Sequence, residues 1–241
     1  MSGHSKWATI RRKKGAIDAK RGKMFTKLIK EITIAARQGG GDPDGNPRLR
    51  LAVDNAKSAN MPSDNIERAI KKATGELEGA QYHELTYEGY GPGGVAILVE
   101  VATDNKNRTV AEIRHIFSRG MGNMGETGSV AWMFERKGVI TVKRDGKSED
   151  EMMEIILDAG ADDLSIEEDF SEVTTTLENF ESVRKTLLGK KLTVENASLQ
   201  WIAKNQIPVK GEEAEKLMKL IEGIEECDDV QNVFTNADFV E

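Results

Sequence analysis

The chain is poor in the residues that carry most chemistry: among 241 residues it has one cysteine, three histidines and five prolines. A lone Cys227 leaves no internal disulfide to form and fits a reducing compartment. His4, His83 and His115 with that one cysteine do not supply a zinc module. No stretch approaches the roughly 20 apolar residues that a membrane-spanning helix needs, so no membrane partner is expected. Trp7 to Gly15 is broken by charges where a secretory signal requires its apolar segment. Aromatic residues are only 5% of the chain, which suits several small cores better than one large one. No Gly-x-Ser-x-Gly elbow, metal box or nucleotide fingerprint occurs, so neither enzymatic activity nor a cofactor is expected.

Charge, by contrast, is abundant and uneven. The first thirty residues, MSGHSKWATIRRKKGAIDAKRGKMFTKLIK, hold ten Lys or Arg and one acid, Asp18. Residues 1–75 carry 17 basic and 7 acidic side chains, net +10; residues 76–241 carry 17 basic and 34 acidic, net −17. The formal charge of −7 therefore conceals a dipolar molecule. A basic segment of this kind points to a polyanion, and an acidic remainder would face away from it.

Apolar spacing predicts a helix over 18–38, with Phe25, Leu28, Ile29, Ile32, Ala35 and Ala36 on one face and Lys20, Lys23, Lys27 and Lys30 on the other. Gly39-Gly40-Gly41 ends it. Asn46-Pro47 starts a second helix and Pro62-Ser63-Asp64 a third, with Gly75 just past its end. Residues 76–81 read as a linker. Strands follow at 83–88 and 94–103 around a glycine-rich turn. Then come helix 109–119, where Thr109 and Glu112 have capping-box spacing, and strands 129–135 and 138–144 with a turn near Arg136-Lys137. Helix 149–159, strands 163–169 and 171–177, helix 179–188 and a strand from about 196 to Pro208 come next, and helix 211–226 and strand 229–235 close the chain. The expectation is an α+β protein: an N-terminal three-helix bundle (1–78) followed by two α/β domains of split βαβ, ferredoxin-like topology. The third domain (136–204) is inserted into the second (79–135 and 205–241).

Several stretches carry a resemblance: GHSKW at 3–7, DAKRGK at 18–23, GGGDP at 39–43, NPRLR at 46–50, NMP at 60–62, YEGYGPGG at 87–94, TDNKNRTVAEIRH at 103–115 and CDDVQNV at 227–233. In this order and over the whole chain, they resemble the YebC/PmpR family. That resemblance implies a helical N-terminal domain and two α/β domains. For bacterial members it implies a cytoplasmic, DNA-binding, probable transcriptional regulator. It also implies an alternative, a ribosome- or RNA-associated translation factor. The human relative is a mitochondrial translational activator of a cytochrome oxidase subunit, and family members have been linked to relief of stalling at proline-rich stretches. The chain opens directly on the first motif, so no mitochondrial presequence is expected. Motifs are sparse between 145 and 200.

The residues themselves supply candidate nucleic-acid contacts. Lys6, Arg11, Arg12, Lys13, Lys14, Lys20, Arg21, Lys23, Lys27 and Lys30 form a basic run with almost no acid to pair it. Like charges three and four apart destabilise a helix unless a partner neutralises them, and phosphates would do so with little sequence choice. Trp7 serves equally as a stacking surface for a base or as a packing residue. Lys106 and Arg108, near a helix N-terminus, suit a phosphate, although the same TDNKNRT segment reads as plain turn and cap residues. Arg68, Lys71 and Lys72 are the best base-reading candidates on the third helix, a weak signal. Tyr87 and Tyr90 are offered as exposed stacking surfaces, and GMGNMGETGS at 120–129 as a mobile loop. Cys227 lacks electropositive activation, and the acids at 225–229 read as solvated ends. The ligand is DNA or ribosomal RNA, and the protein partner of the acidic domains is unspecified.

Overall fold

The structure, a computed structural model, describes residues 17–240, with side chains from residue 22. Helix α1 (Ile17–Gly39) ends where Gly40 takes a positive φ of 90°. Asn46 caps α2 (Pro47–Ser58): its Oδ1 accepts from Leu49 N, while its Nδ2 donates to the carbonyls of Ala35 and Gly40. One side chain thus joins the end of α1 to the start of α2. Helix α3 (Ser63–Thr74) closes on Gly75 in the left-handed region. Ile32, Leu49, Ala52, Val53, Ile66 and Ala69 bury the apolar stripes of all three helices against one another.

The second unit is built on strands β1 (His83–Tyr90) and β2 (Ala96–Thr103), an antiparallel hairpin in register from His83↔Thr103 to Tyr90↔Ala96. Helix α4 (Lys106–Arg119) and the short β3 (Asn123–Met124) follow. The chain leaves for the third unit and returns with β8 (Ile207–Val209), α7 (Gly211–Glu225), β9 (Val230–Thr235) and β10 (Ala237–Phe239). The main sheet has the order β3-β1-β2-β9, and β8 pairs in parallel with β10 as a separate ribbon. The expected ferredoxin-like order does not hold here, because the strand at 207–209 never joins the main sheet. Strand β2 is covered on both faces. Ile97, Val99 and Val101 face α4 and α7, whereas Ala96 and Leu98 pack with Val130, Phe134 and Phe234.

The third unit runs β4 (Phe134–Lys143), α5 (Glu149–Asp158), β5 (Asp163–Ile166), β6 (Phe170–Thr175), α6 (Phe180–Gly189) and β7 (Val194–Ala203). Its sheet is fully antiparallel in the order β5-β6-β4-β7, the split βαβ arrangement expected from sequence. The turn expected near Arg136-Lys137 is absent: β4 is one strand through both residues, paired to β7 along its length. Helix α4 starts three residues before the expected Thr109, because Asn105 accepts from Arg108 N and takes the capping role. That leaves the Thr109 hydroxyl for another use.

Candidate nucleic-acid interface

Lys23, Lys27 and Lys30 of the α1 stripe reach backbone carbonyls of the second unit. Lys23 Nζ donates to the Glu226 carbonyl at 2.8 Å. Lys27 Nζ lies 3.5 Å from the Glu225 carbonyl and 3.4 Å from that of Gln231. Lys30 Nζ donates to the carbonyls of Ala102 (3.0 Å) and Asp228 (2.8 Å) and to Asp229 Oδ1 (2.9 Å). Most of these carbonyls lie at or just beyond the C-terminus of α7, where the last turn has unpaired acceptors and a negative dipole end. The lysine spacing of four and three therefore matches an intramolecular surface. This corrects the reading of Lys30 as a phosphate contact. It is 6% exposed, and three acceptors satisfy all three donors of its ammonium. Lys23 and Lys27 are likewise engaged with the second unit.

Glu226 and Asp228 are exposed, as expected of solvated ends, but Asp229 is the centre of this contact and corrects that reading. It is 5% exposed. Its Oδ2 accepts from Thr103 Oγ1 (3.0 Å), Thr109 Oγ1 (2.7 Å) and Arg108 Nη2 (2.7 Å). Burial alone would raise its carboxyl; the donors Arg108, Thr109 and Lys30 overcome that and hold it well below the usual carboxylate range. Arg108 also pairs with Asp104 at 2.8 Å, so its charge is committed to two carboxylates rather than left for a phosphate. Beside the hub opens a cleft of about 620 Å³ lined by Lys23, Arg108, Glu112, Glu226, Asp228 and Asp229. Four acids against two bases make it a poor seat for a polyanion.

Four further polar contacts join the units. Arg48, in the NPRLR motif, forks onto Glu31 and Glu84, with its Nη2 2.6 Å from Glu84 Oε1. Burial opposes its charge, but Glu84 and Glu31 outweigh that and raise its already high pKa. Arg184 on α6 is buried and reaches Asp54 on α2 at 2.9 Å. Next to it the Asn55 side-chain amide exchanges bonds with the Ala197 backbone, which blunts the outer edge of β7. Glu100 on β2 accepts from Arg136 (2.6 Å), Trp201 Nε1 (2.9 Å) and Asn232 (3.0 Å). A lone acid inside the apolar run AILVEVAT was a legible signal for this site. Asp229 had none.

The two glycine-rich stretches are packed. Gly93 and Gly94 take positive φ in the β1–β2 turn. Gly91 does not; a Cβ there would lie 2.8 Å from Leu217 Cδ1. A Cβ on Gly120 would meet Leu220 at 2.6 Å, and one on Gly122 would meet the Tyr90 carbonyl at 2.7 Å. The buried Glu88 carboxylate accepts from Gly128, Val130 and Ala131 N–H at 2.7, 2.7 and 2.8 Å. These bonds replace the expected mobile loop with one anchored to β1. Tyr87 and Tyr90 are half-buried in the cores on either face of the sheet, so neither is the expected open stacking surface.

Cations exposed at the surface include Lys57 at the end of α2, Arg68, Lys71 and Lys72 on α3, and Lys106, Arg114 and Arg119 on α4. Lys6, Trp7, Arg11, Arg12, Lys13 and Lys14, and the side chains of Lys20 and Arg21, lie outside the described residues. His115 is exposed, and no cluster of potential metal ligands occurs among the described residues. Cys227 is buried, which pushes its thiol pKa up.

Comparison with known proteins gives a consistent picture. The description "TACO1/YebC protein N-terminal domain" matches residues 5–76, and "TACO1/YebC second and third domain" matches residues 82–237. A probable transcriptional regulatory protein of Chlorobaculum tepidum is 59% identical over 242 residues, spanning 100% of this chain and 96% of the relative. One from Chlorobium phaeobacteroides is 58% identical over 243 residues, spanning 100% and 97%. The crystal structure of a conserved hypothetical protein from Aquifex aeolicus superposes with a TM-score of 0.88 at 47% identity, covering 93% of each chain.

Proposed function

Because the chain belongs to the TACO1/YebC family, we propose that it is a transcriptional regulator that binds nucleic acid in the cytoplasm and catalyses no reaction. The observation that carries this reading is the division of charge: net +10 over residues 1–75 against net −17 over the rest. The basic run before α1, together with exposed Lys57, Arg68, Lys71 and Lys72, meets phosphates; the acidic units are repelled and turn outward. Point charges of this kind give affinity and position and leave sequence choice to other groups. The relatives' printed names support the regulatory role. No helix among the described residues is long and apolar enough to cross a membrane.

Crosslinking in cells followed by sequencing of bound DNA and bound RNA tests this reading. Recovery of DNA from a limited set of promoter regions is the expected result. Recovery of ribosomal RNA alone would replace transcription with a translational role, and recovery of neither would overturn nucleic-acid binding. In vitro, exchanging Lys57, Arg68, Lys71 and Lys72 for glutamate should flatten the salt dependence of binding. The log–log slope should fall by about 0.9 for each duplex phosphate that is no longer neutralised.

A further inference from the structure

Trp132 is the most exposed large apolar side chain among the described residues, at 65%. A side chain of this size is normally well covered. It is also held still. Its indole Nε1 donates to the Ser129 carbonyl at 3.0 Å, and the same carbonyl accepts from Tyr90 Oη at 3.0 Å. It stands in the short helical turn Ala131–Met133, and the amides leading into that turn are clasped by the Glu88 carboxylate. Val130 before it and Phe134 after it are buried, so the backbone on both sides is fixed. Lys204 Nζ donates to the Trp132 carbonyl at 3.0 Å, and Lys204, Asn205 and Gln206 are all exposed.

The surroundings of the ring decide what it would take. A protein partner seeks a contiguous apolar patch, but Lys204 sits on the Trp132 carbonyl, Ala131 and Met133 on either side are partly buried, and the exposed residues nearest in the chain to Trp132 and Lys204, among them Glu126, Thr127, Asn205 and Gln206, are polar. One exposed, fixed π-face on a residue whose carbonyl carries an ammonium matches a flat aromatic ring joined to an anion. We propose that Trp132 is a stacking platform for an unpaired nucleobase, with Lys204 holding the neighbouring phosphate. The proposal rests on the nucleic-acid reading above and narrows it to single-stranded segments, because a paired base already has both faces stacked. Fixing the indole in advance removes part of the ordering cost of binding. An ammonium has three donors, so Lys204 can hold a phosphate oxygen while keeping its bond to the Trp132 carbonyl.

The test is equilibrium binding of labelled single-stranded DNA, single-stranded RNA and duplex DNA of one sequence to the full chain and to Trp132→Ala, Trp132→Phe and Lys204→Ala. Stacking on an aromatic side chain contributes about 1–3 kcal/mol per base, so Trp132→Ala should weaken single-strand binding about tenfold or more. Trp132→Phe should restore most of that, and duplex affinity should not change. Lys204→Ala should lower the single-strand salt slope by about 0.7. Trp132 is exposed, so Trp132→Ala should unfold at the wild-type temperature. Unchanged single-strand affinity in Trp132→Ala, or equal loss for single strands and duplex, would overturn the platform while leaving nucleic-acid binding intact. Wild type that binds none of the three would overturn both.

Discussion

Replacing Asp229 by asparagine removes the charge at the centre of the contact between α1 and the second unit while keeping its shape. In the native protein that carboxylate accepts four side-chain bonds of 2.7–3.0 Å, from Lys30, Thr103, Thr109 and Arg108. In Asp229→Asn the Lys30 ammonium stays buried without its counter-ion, and one amide group must face donors rather than accept from them. Removing one partner of a buried ion pair costs about 3–5 kcal/mol. The carbonyls of Ala102 and Asp228 still serve Lys30, which places the expected loss near the lower end, about 3 kcal/mol. A chain of several units need not unfold in one step, so the loss should be localised by hydrogen exchange. Amides of α1 and of the last turn of α7 should exchange faster, with the core of the third unit little affected. Adding Lys30→Met should recover part of the loss, because the stranded charge is then gone, and the double-mutant cycle should show clear coupling. A single variant within about 0.5 kcal/mol of wild type, the range of ordinary surface changes, or strictly additive effects would refute the assignment of Asp229 as the hub.

Acid should act on the same site. The Asp229 carboxyl binds its proton more weakly when folded than in the unfolded chain, where a value near 3.9 applies. Its contribution is therefore present above about pH 4–5 and is lost as pH falls through the unfolded value toward the folded one. Acid unfolding should accordingly be steeper for wild type than for Asp229→Asn, as followed by circular dichroism. Glu88→Gln should loosen the glycine loop. At about 1–3 kcal/mol for a disturbed buried acceptor, exchange at Gly128, Val130 and Ala131 should rise about tenfold or more, and unchanged exchange would mean that the Glu88 carboxylate does not anchor the loop.

Local chemistry made the elements legible. The 3.6-residue apolar spacing of α1, the Asn46-Pro47 start of α2 and the Gly75 stop of α3 are decided by neighbours in the chain, and the structure repeats them. So does the split βαβ order of the third unit, which follows from element order alone. The misplacements fell where two local readings competed. Thr109 has the spacing of a cap, but Asn105 takes the cap and frees the threonine for Asp229. Arg136-Lys137 reads as a turn, but pairing with β7 carries one strand straight through it. The strand expected to run from about 196 to Pro208 instead breaks after Ala203, and its last piece, 207–209, pairs in parallel with β10 outside the main sheet.

The sequence by itself determined the three-helix start, the alternation of strands and helices, the opposed charges of the two regions and, through its motifs, the family. Tertiary structure decided what the charges do. A lysine stripe looks the same whether it faces phosphate or the end of another helix, because spacing reports only which residues share a face. Residues 30, 103, 108, 109 and 229 meet only because folding brings the end of α7 against α1 and α4. That meeting turns Lys30 from an expected ligand contact into a buried structural cation, and the packing of the anchored loop leaves Trp132, rather than the nearby tyrosines, facing solvent.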